Sequence, residues 1–158
     1  MFAPKDGRVR GSMRPLPRAL VYALAGCLGE LFFTGCTSLV RTQRFRPHTS
    51  PLMLPIYGLI QPLFEPVHEA IHGRVPIWGR AVVYGGGFHA VEYVTGRLLR
   101  RLAGRAPWDY ARARWQLDGL IRIDYFPLWA AAGLATEWLH DRLVAQPRVR
   151  TRRRERPL

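Results

Sequence analysis

EYVTGRLLRRLAGRAPWDYARARWQLDGLIRIDYFPLW, from Glu92 to Trp129, begins inside one apolar run and ends inside another. Between the two lie an arginine-rich ramp and a loop built on Trp108, Asp109 and Tyr110. A carboxylate sits in each flanking run, Glu92 in the first and Asp124 in the second, and Pro127 follows one turn later. Helix-length apolar runs joined by aromatic and arginine residues read as two membrane spans with an interfacial connection, because Trp, Tyr and Arg favour the headgroup level.

Working outward, the same pattern precedes it. Ala19 to Val40 is apolar apart from Glu30, with Arg18 before it and Arg41, Arg44 and Arg46 after it. Residues 52–72, LMLPIYGLIQPLFEPVHEAIH, carry Pro55, Pro62 and Pro66. Prolines are costly in a soluble helix but tolerated in spans, where neighbours satisfy the freed carbonyls. Gln61, Glu65, His68 or Glu69, and His72 recur there at helical spacing, a stripe that should face protein rather than lipid. Residues 77–99 hold Gly85, Gly86 and Gly87, which would let backbones approach, and His89, Glu92 and Thr95 on one face. Residues 120–140 hold Asp124, Trp129 and Glu137. No internal repeat stands out.

The expected architecture is therefore all-α, a polytopic four-helix transmembrane bundle with spans at 19–40, 52–72, 77–99 and 120–140. Residues 1–18 form a basic arm and residues 141–158 a basic tail. At 158 residues the chain holds one domain at most. Its mean hydropathy of −0.09 averages polar ends with an apolar middle. The net charge of +13 comes almost entirely from 23 Arg with one Lys. The tail lacks interleaved aromatics, so it reads as a topology and anionic-headgroup signal and not as a nucleic-acid site. More basic residues lie on the side of the termini than on the other side, which predicts cytoplasmic termini in a cell membrane.

Carboxylates are the most informative feature. Glu30, Glu65, Glu92, Asp124 and Glu137, with His89, are the intramembrane polar candidates. A charge at mid-membrane costs roughly 2.5–3.5 kcal/mol on insertion scales, so such groups point inward, are protonated, or pair with a base.

Two local motifs point elsewhere. His68-Glu69-Ala70-Ile71-His72 is a literal H-E-x-x-H, which on a helix presents two imidazoles to zinc with Glu69 as general base. A third ligand would come from His89, Glu92 or Asp124. Pro66 just upstream, and a place at the polar end of the span, argue against that site. Cys27 and Cys36 each end a lipobox-like tetrapeptide, but Glu30 interrupts one apolar region and the other is short. Nine residues apart in one helix, they cannot bridge each other.

The order and spacing of several short motifs resemble the transmembrane protein 229 family of four-span proteins. Glu92-Tyr93-Val94-Thr95-Gly96, the loop Pro107-Trp108-Asp109-Tyr110, Gly119-Leu120-Ile121, Asp124-Tyr125, Trp129 and Glu137 carry the second half of it. Glu30 with Phe33-Thr34, and Ile56-Tyr57-Gly58, carry the first. The wider bacterial group of type IV ABC-transporter permeases looks similar through Pro55-Ile56-Tyr57-Gly58, Glu92-Tyr93 and Trp108-Asp109-Tyr110. This resemblance implies a four-span membrane protein of no established activity. It departs from the pattern at Asp124, where a glutamate is usual, and at His68 and His72.

Three functions are in play. The first is a non-enzymatic transport-related or scaffolding membrane subunit without cofactor, which uses its buried carboxylates and binds lipids, other membrane subunits or a second copy. The second is a zinc-dependent intramembrane hydrolase, and the third a lipid-anchored envelope protein. Carboxylates spread over all four segments favour the first.

Overall fold

The computed structural model describes residues 13–145. Most of the basic arm and most of the basic tail lie outside that range. Within it the chain is helical, with one small hairpin. Helix α1 runs Pro15–Thr42, unbroken through Cys27 and Cys36, with a proline in its first turn where the missing N–H costs nothing. Gln43 closes it in the left-handed conformation and donates its N–H to the Leu39 carbonyl.

The expected second span is two helices, α2 (Met53–Gly58) and α3 (Ile60–Ile71). Pro62 explains the joint: it lacks the N–H that would bond the Gly58 carbonyl, and its ring crowds that turn. Pro66 is carried inside α3. Helix α4, Ile77–Ala103, ends on Gly104 at positive φ. The last helix, α5, is Phe126–Val144, and it starts later than expected. Gln116–Leu117 (β1) pairs antiparallel with Ile121–Arg122 (β2) around Asp118-Gly119, both at positive φ, and a 3-10 turn Ile123–Tyr125 leads into α5. The residues from Leu120 to Tyr125 are thus connection rather than span, which moves the fourth segment to 126–144.

Helix α1 packs against α2 and α3, while α4 packs mainly against α5. Close approach is set by small residues. A Cβ on Gly133 would lie 2.3 Å from Tyr84 Cβ, and one on Gly26 would strike the Tyr57 ring. Of the three consecutive glycines in α4, only Gly85 meets a neighbour, Phe126 and Ala130 of α5; Gly86 and Gly87 face open space.

The polarity of the interior is inverted. Glu65, His68, His89, Glu92, Glu137 and His140 are buried, with Tyr22, Phe64, Tyr84 and Leu120 among them. Outside stand Leu16, Leu20, Leu28, Phe32, Trp78, Val82, Val94, Leu102 and Trp138, all more than half exposed. Among the described helices only α1 is apolar and long enough, by composition and length, to cross a membrane.

Candidate functional site

Two ion-pair networks fill one end of the bundle. In the first, Arg18 of α1 donates from Nε and one Nη to both oxygens of Glu65 on α3, each at 2.7 Å. Tyr22, one turn after Arg18, donates its hydroxyl to Glu65 Oε1 at 3.1 Å, and Gln61 donates to Oε2 at 3.0 Å. In the second, Arg80 of α4 donates to both oxygens of Glu137 on α5, each at 2.8 Å. Tyr84, one turn after Arg80, donates to Glu137 Oε2 at 2.7 Å. Bidentate pairing with the remaining lone pairs filled is the geometry in which buried charges are tolerated.

The networks interlock through histidine. Each tyrosine hydroxyl has one proton, and the carboxylate takes it, so the ring nitrogen beside that oxygen must be the donor. His140 Nδ1, at 2.8 Å, accordingly donates to Tyr22, and His68 Nδ1, at 3.0 Å, donates to Tyr84. Each histidine therefore serves the tyrosine of the other network. The two rings meet edge to face, with centroids 4.8 Å apart.

This arrangement exposes an internal repeat that the sequence reading missed. Arg18-Ala19-Leu20-Val21-Tyr22 returns as Arg80-Ala81-Val82-Val83-Tyr84, and Glu30 returns as Glu92 at the same distance downstream. Pro55, Glu65, His68 and Glu69 return, at constant spacing, as Pro127, Glu137, His140 and Asp141. The signal was present in RALVY and RAVVY. It was diluted because the intervening connections differ in length and the rest of each helix is merely apolar.

At the other end, Glu30 and Glu92 occupy equivalent places with different partners. Thr49 donates to Glu30 Oε2 at 2.7 Å, and Tyr57 also reaches this carboxylate. Glu92 is buried and accepts at Oε1 from Tyr110 at 3.0 Å. That donor belongs to the connection, so Tyr110 of the Trp108-Asp109-Tyr110 loop turns in toward the bundle. Burial, with the Glu92 charge beside it, pushes the Tyr110 hydroxyl well above the usual phenol range.

That loop is fixed from several sides. Trp108 Nε1 donates to the Leu120 carbonyl at 2.9 Å, and both side chains press on Gly96, where a Cβ would be 2.7 Å from Leu120. Asp109 is exposed and accepts the Ala111 N–H at 2.9 Å, while Tyr110 N–H bonds the Gly119 carbonyl at 2.9 Å. Pro107 is half-buried before them.

Glu92 Oε2 and Trp129 Nε1 are, among the described residues, the buried side-chain atoms outside a well-formed hydrogen bond, and they face each other as acceptor and donor. His89 faces the carbonyls of Gly85 at 3.1 Å and Arg122 at 2.9 Å. Asp124 is not in a helical span. It stands exposed on the 3-10 turn, clasped by Arg122, whose hydrogen bonds hold its carboxyl below the usual range.

Around the H-E-x-x-H stretch, His68 is buried while Glu69 and His72 are exposed. Among the described residues, the third ligand-type atom near the two histidines belongs to Asp141, and His89, Glu92, Asp124 and Glu69 do not join them.

An interior of paired charges beneath a surface of Leu, Val, Phe and Trp is the build of a helical membrane protein, in which polar groups turn inward and apolar ones meet lipid. The chain belongs to the family described as Putative ABC-transporter type IV, whose model matches residues 19–154. That membership puts it at a membrane, among components related to transport. No solved structure matches it.

Proposed function

We propose that this chain is a multi-pass, transport-related or scaffolding subunit with four spans, built from two repeats of a helix pair. The observation that carries this reading is the inverted polarity, six buried polar residues against large exposed apolar side chains on α1, α3, α4 and α5. A lipid-facing role for α4 and α5 is compatible with their charges, because Arg80 and Glu137 cancel each other inside the bundle. Sequence hydropathy counts the same two residues as if each faced lipid. The α2–α3 pair and α5 each offer 19 residues or so between their ends, near the ~20 that cross a hydrocarbon core.

Within this reading the carboxylates divide. Glu65 and Glu137 have every oxygen engaged and act as locks. Glu92, with one oxygen left over beside Trp129, and Glu30 are the groups free to meet a proton, a cation or a polar lipid group. The termini face the cytoplasm, where anionic headgroups meet the basic ends, and partner membrane subunits or a second copy cover part of the apolar surface. Kinship with the transmembrane protein 229 family belongs to the same reading, through Trp108, Asp109 and Tyr110.

Cysteine labelling in intact cells tests it. In a background with Cys27 and Cys36 replaced by alanine, Met13→Cys and Asp109→Cys should react with an impermeant reagent from opposite sides. Reaction from the same side would refute the four-span arrangement.

A further inference from the structure

We infer that His68, His72 and Asp141 form a binding site for a zinc-like divalent transition metal, joining the two halves of the bundle. His68 Nε2 lies 3.0 Å from His72 Nδ1 and 3.3 Å from Asp141 Oδ1, and the last two atoms are 3.9 Å apart. Metal–ligand bonds of about 2.0–2.1 Å at a tetrahedral angle put neighbouring ligand atoms ~3.3 Å apart. The three separations bracket that value, so the ligand atoms are spaced for one ion.

Protonation makes the case independently. His68 gives its Nδ1 proton to Tyr84, whose own proton goes to Glu137. In the neutral ring His68 Nε2 is then a lone pair, and it faces a second acceptor, the Asp141 carboxylate, at 3.3 Å. Without a metal, a proton on His72 Nδ1 relieves only one side of that contact. A cation relieves both, and His72 then carries its proton on Nε2, so none is lost. The chain from His68 through Tyr84 and Glu137 to Arg80 is the outer shell that fixes a ligating imidazole's tautomer and orientation.

The setting also favours a cation. His72 caps the C-terminal end of α3 and Asp141 lies in the last turn of α5, so the carbonyl ends of two helices converge there. His72 and Asp141 have side chains 41% and 48% exposed, which leaves an entry path and a place for water as fourth ligand. The third ligand is Asp141, and Glu69 lies outside the cluster. The metal would hold α3 to α5. The equivalent position in the other half has Val144 in place of His72, so the repeat supplies one such site and not two.

The test uses tag-free full-length protein in detergent, stripped with a chelator and dialysed against buffered Zn²⁺, with bound metal measured by mass spectrometry. One zinc per chain is expected for the parent and for Glu69→Gln. His72→Ala and Asp141→Asn, both at exposed positions, should each bind at least as much more weakly as the 10–100-fold typical of losing an outer-shell partner. Replacement by Co²⁺ should give the intense visible absorption of a four-coordinate centre in the parent and in Glu69→Gln, and not in His72→Ala or Asp141→Asn. Parent protein without stoichiometric zinc would overturn the proposal, as would zinc kept by both variants. Zinc lost in His72→Ala but kept in Asp141→Asn would also overturn it, because the third ligand would then lie elsewhere.

Discussion

Glu137→Leu gives the sharpest energetic test of the interior. Glu137 accepts two hydrogen bonds from Arg80 and one from Tyr84. Leucine strands all three donors and leaves a guanidinium whose side chain is only 14% exposed. Removing one partner of a buried ion pair costs roughly 3–5 kcal/mol. That is a large share of a typical total stability of about 5–15 kcal/mol. Leucine also removes the anion that fixes His68 through Tyr84. Reversible unfolding in mixed micelles, followed by tryptophan fluorescence, measures it. Glu69→Leu, at an exposed position, should stay within about 0.5 kcal/mol of the parent. Arg80→Leu combined with Glu137→Leu should recover part of the single-variant loss, because no unpaired charge remains. A Glu137→Leu protein within about 1 kcal/mol of the parent, or a double variant worse than the sum of the singles, would refute the lock reading of these carboxylates.

Three further outcomes follow from the same geometry. Glu65→Leu strands the matching set of donors on Arg18, Tyr22 and Gln61, so its loss in the same unfolding assay should fall within about 1 kcal/mol of that for Glu137→Leu; a mild Glu65→Leu would mean that the two halves are not energetically alike. Gly133→Ala brings a Cβ to 2.3 Å from Tyr84 Cβ, and overpacking of this kind costs about 1–3 kcal/mol, whereas Gly86→Ala faces open space and should melt at or above the parent temperature. Glu92→Leu leaves the Tyr110 hydroxyl without an acceptor, at about 1–3 kcal/mol, while Glu92→Gln keeps an amide oxygen that can accept from Tyr110; thermal scans in detergent should therefore rank the leucine variant below the glutamine variant.

The helical class and the placement of carboxylates inside helices were legible, because an isolated Glu in an apolar run has few affordable environments. Helices α1 and α4 match the first and third expected segments closely. The second segment's break at Leu59 was half legible, since Pro62 was visible but whether the helix would kink or divide depends on packing. The start of the last helix was misjudged. Gly119-Leu120-Ile121 and Ile123 are apolar enough to pass for a span, and only the hairpin around Asp118-Gly119 shows that they connect. Asp124 followed the same error, because its pairing with Arg122 is a contact of the connection. The partner of Glu92 was out of reach as well. Tyr110 looked like a headgroup residue, and what sends it inward is Trp108 and Leu120 seated on Gly96, a three-body contact that no spacing announces.

The repeat separates what holds this protein together from what could make it act. Positions shared by both halves, Arg18 with Arg80, Tyr22 with Tyr84, Glu65 with Glu137 and His68 with His140, form the interlocked networks. Because each histidine serves the opposite tyrosine, neither half satisfies its own polar groups alone. That makes the pairing of halves obligatory, since buried polar groups left without partners are costly. The chain runs along α1 and back through α2 and α3 before α4 begins, and both networks fall at the same end of the bundle. Positions that differ between the halves are free of that constraint, and the unusual chemistry collects there. His72 stands where the other half has Val144, and it completes a three-ligand cluster. Trp129 stands where the other half has Tyr57, and it meets Glu92 with an indole N–H that forms no close hydrogen bond to it. The connection after α4 buries Tyr110 against Glu92, while the one after α1 brings Thr49 to Glu30. Substitution at the shared positions should therefore register first in stability, and substitution at the asymmetric ones first in what the protein binds.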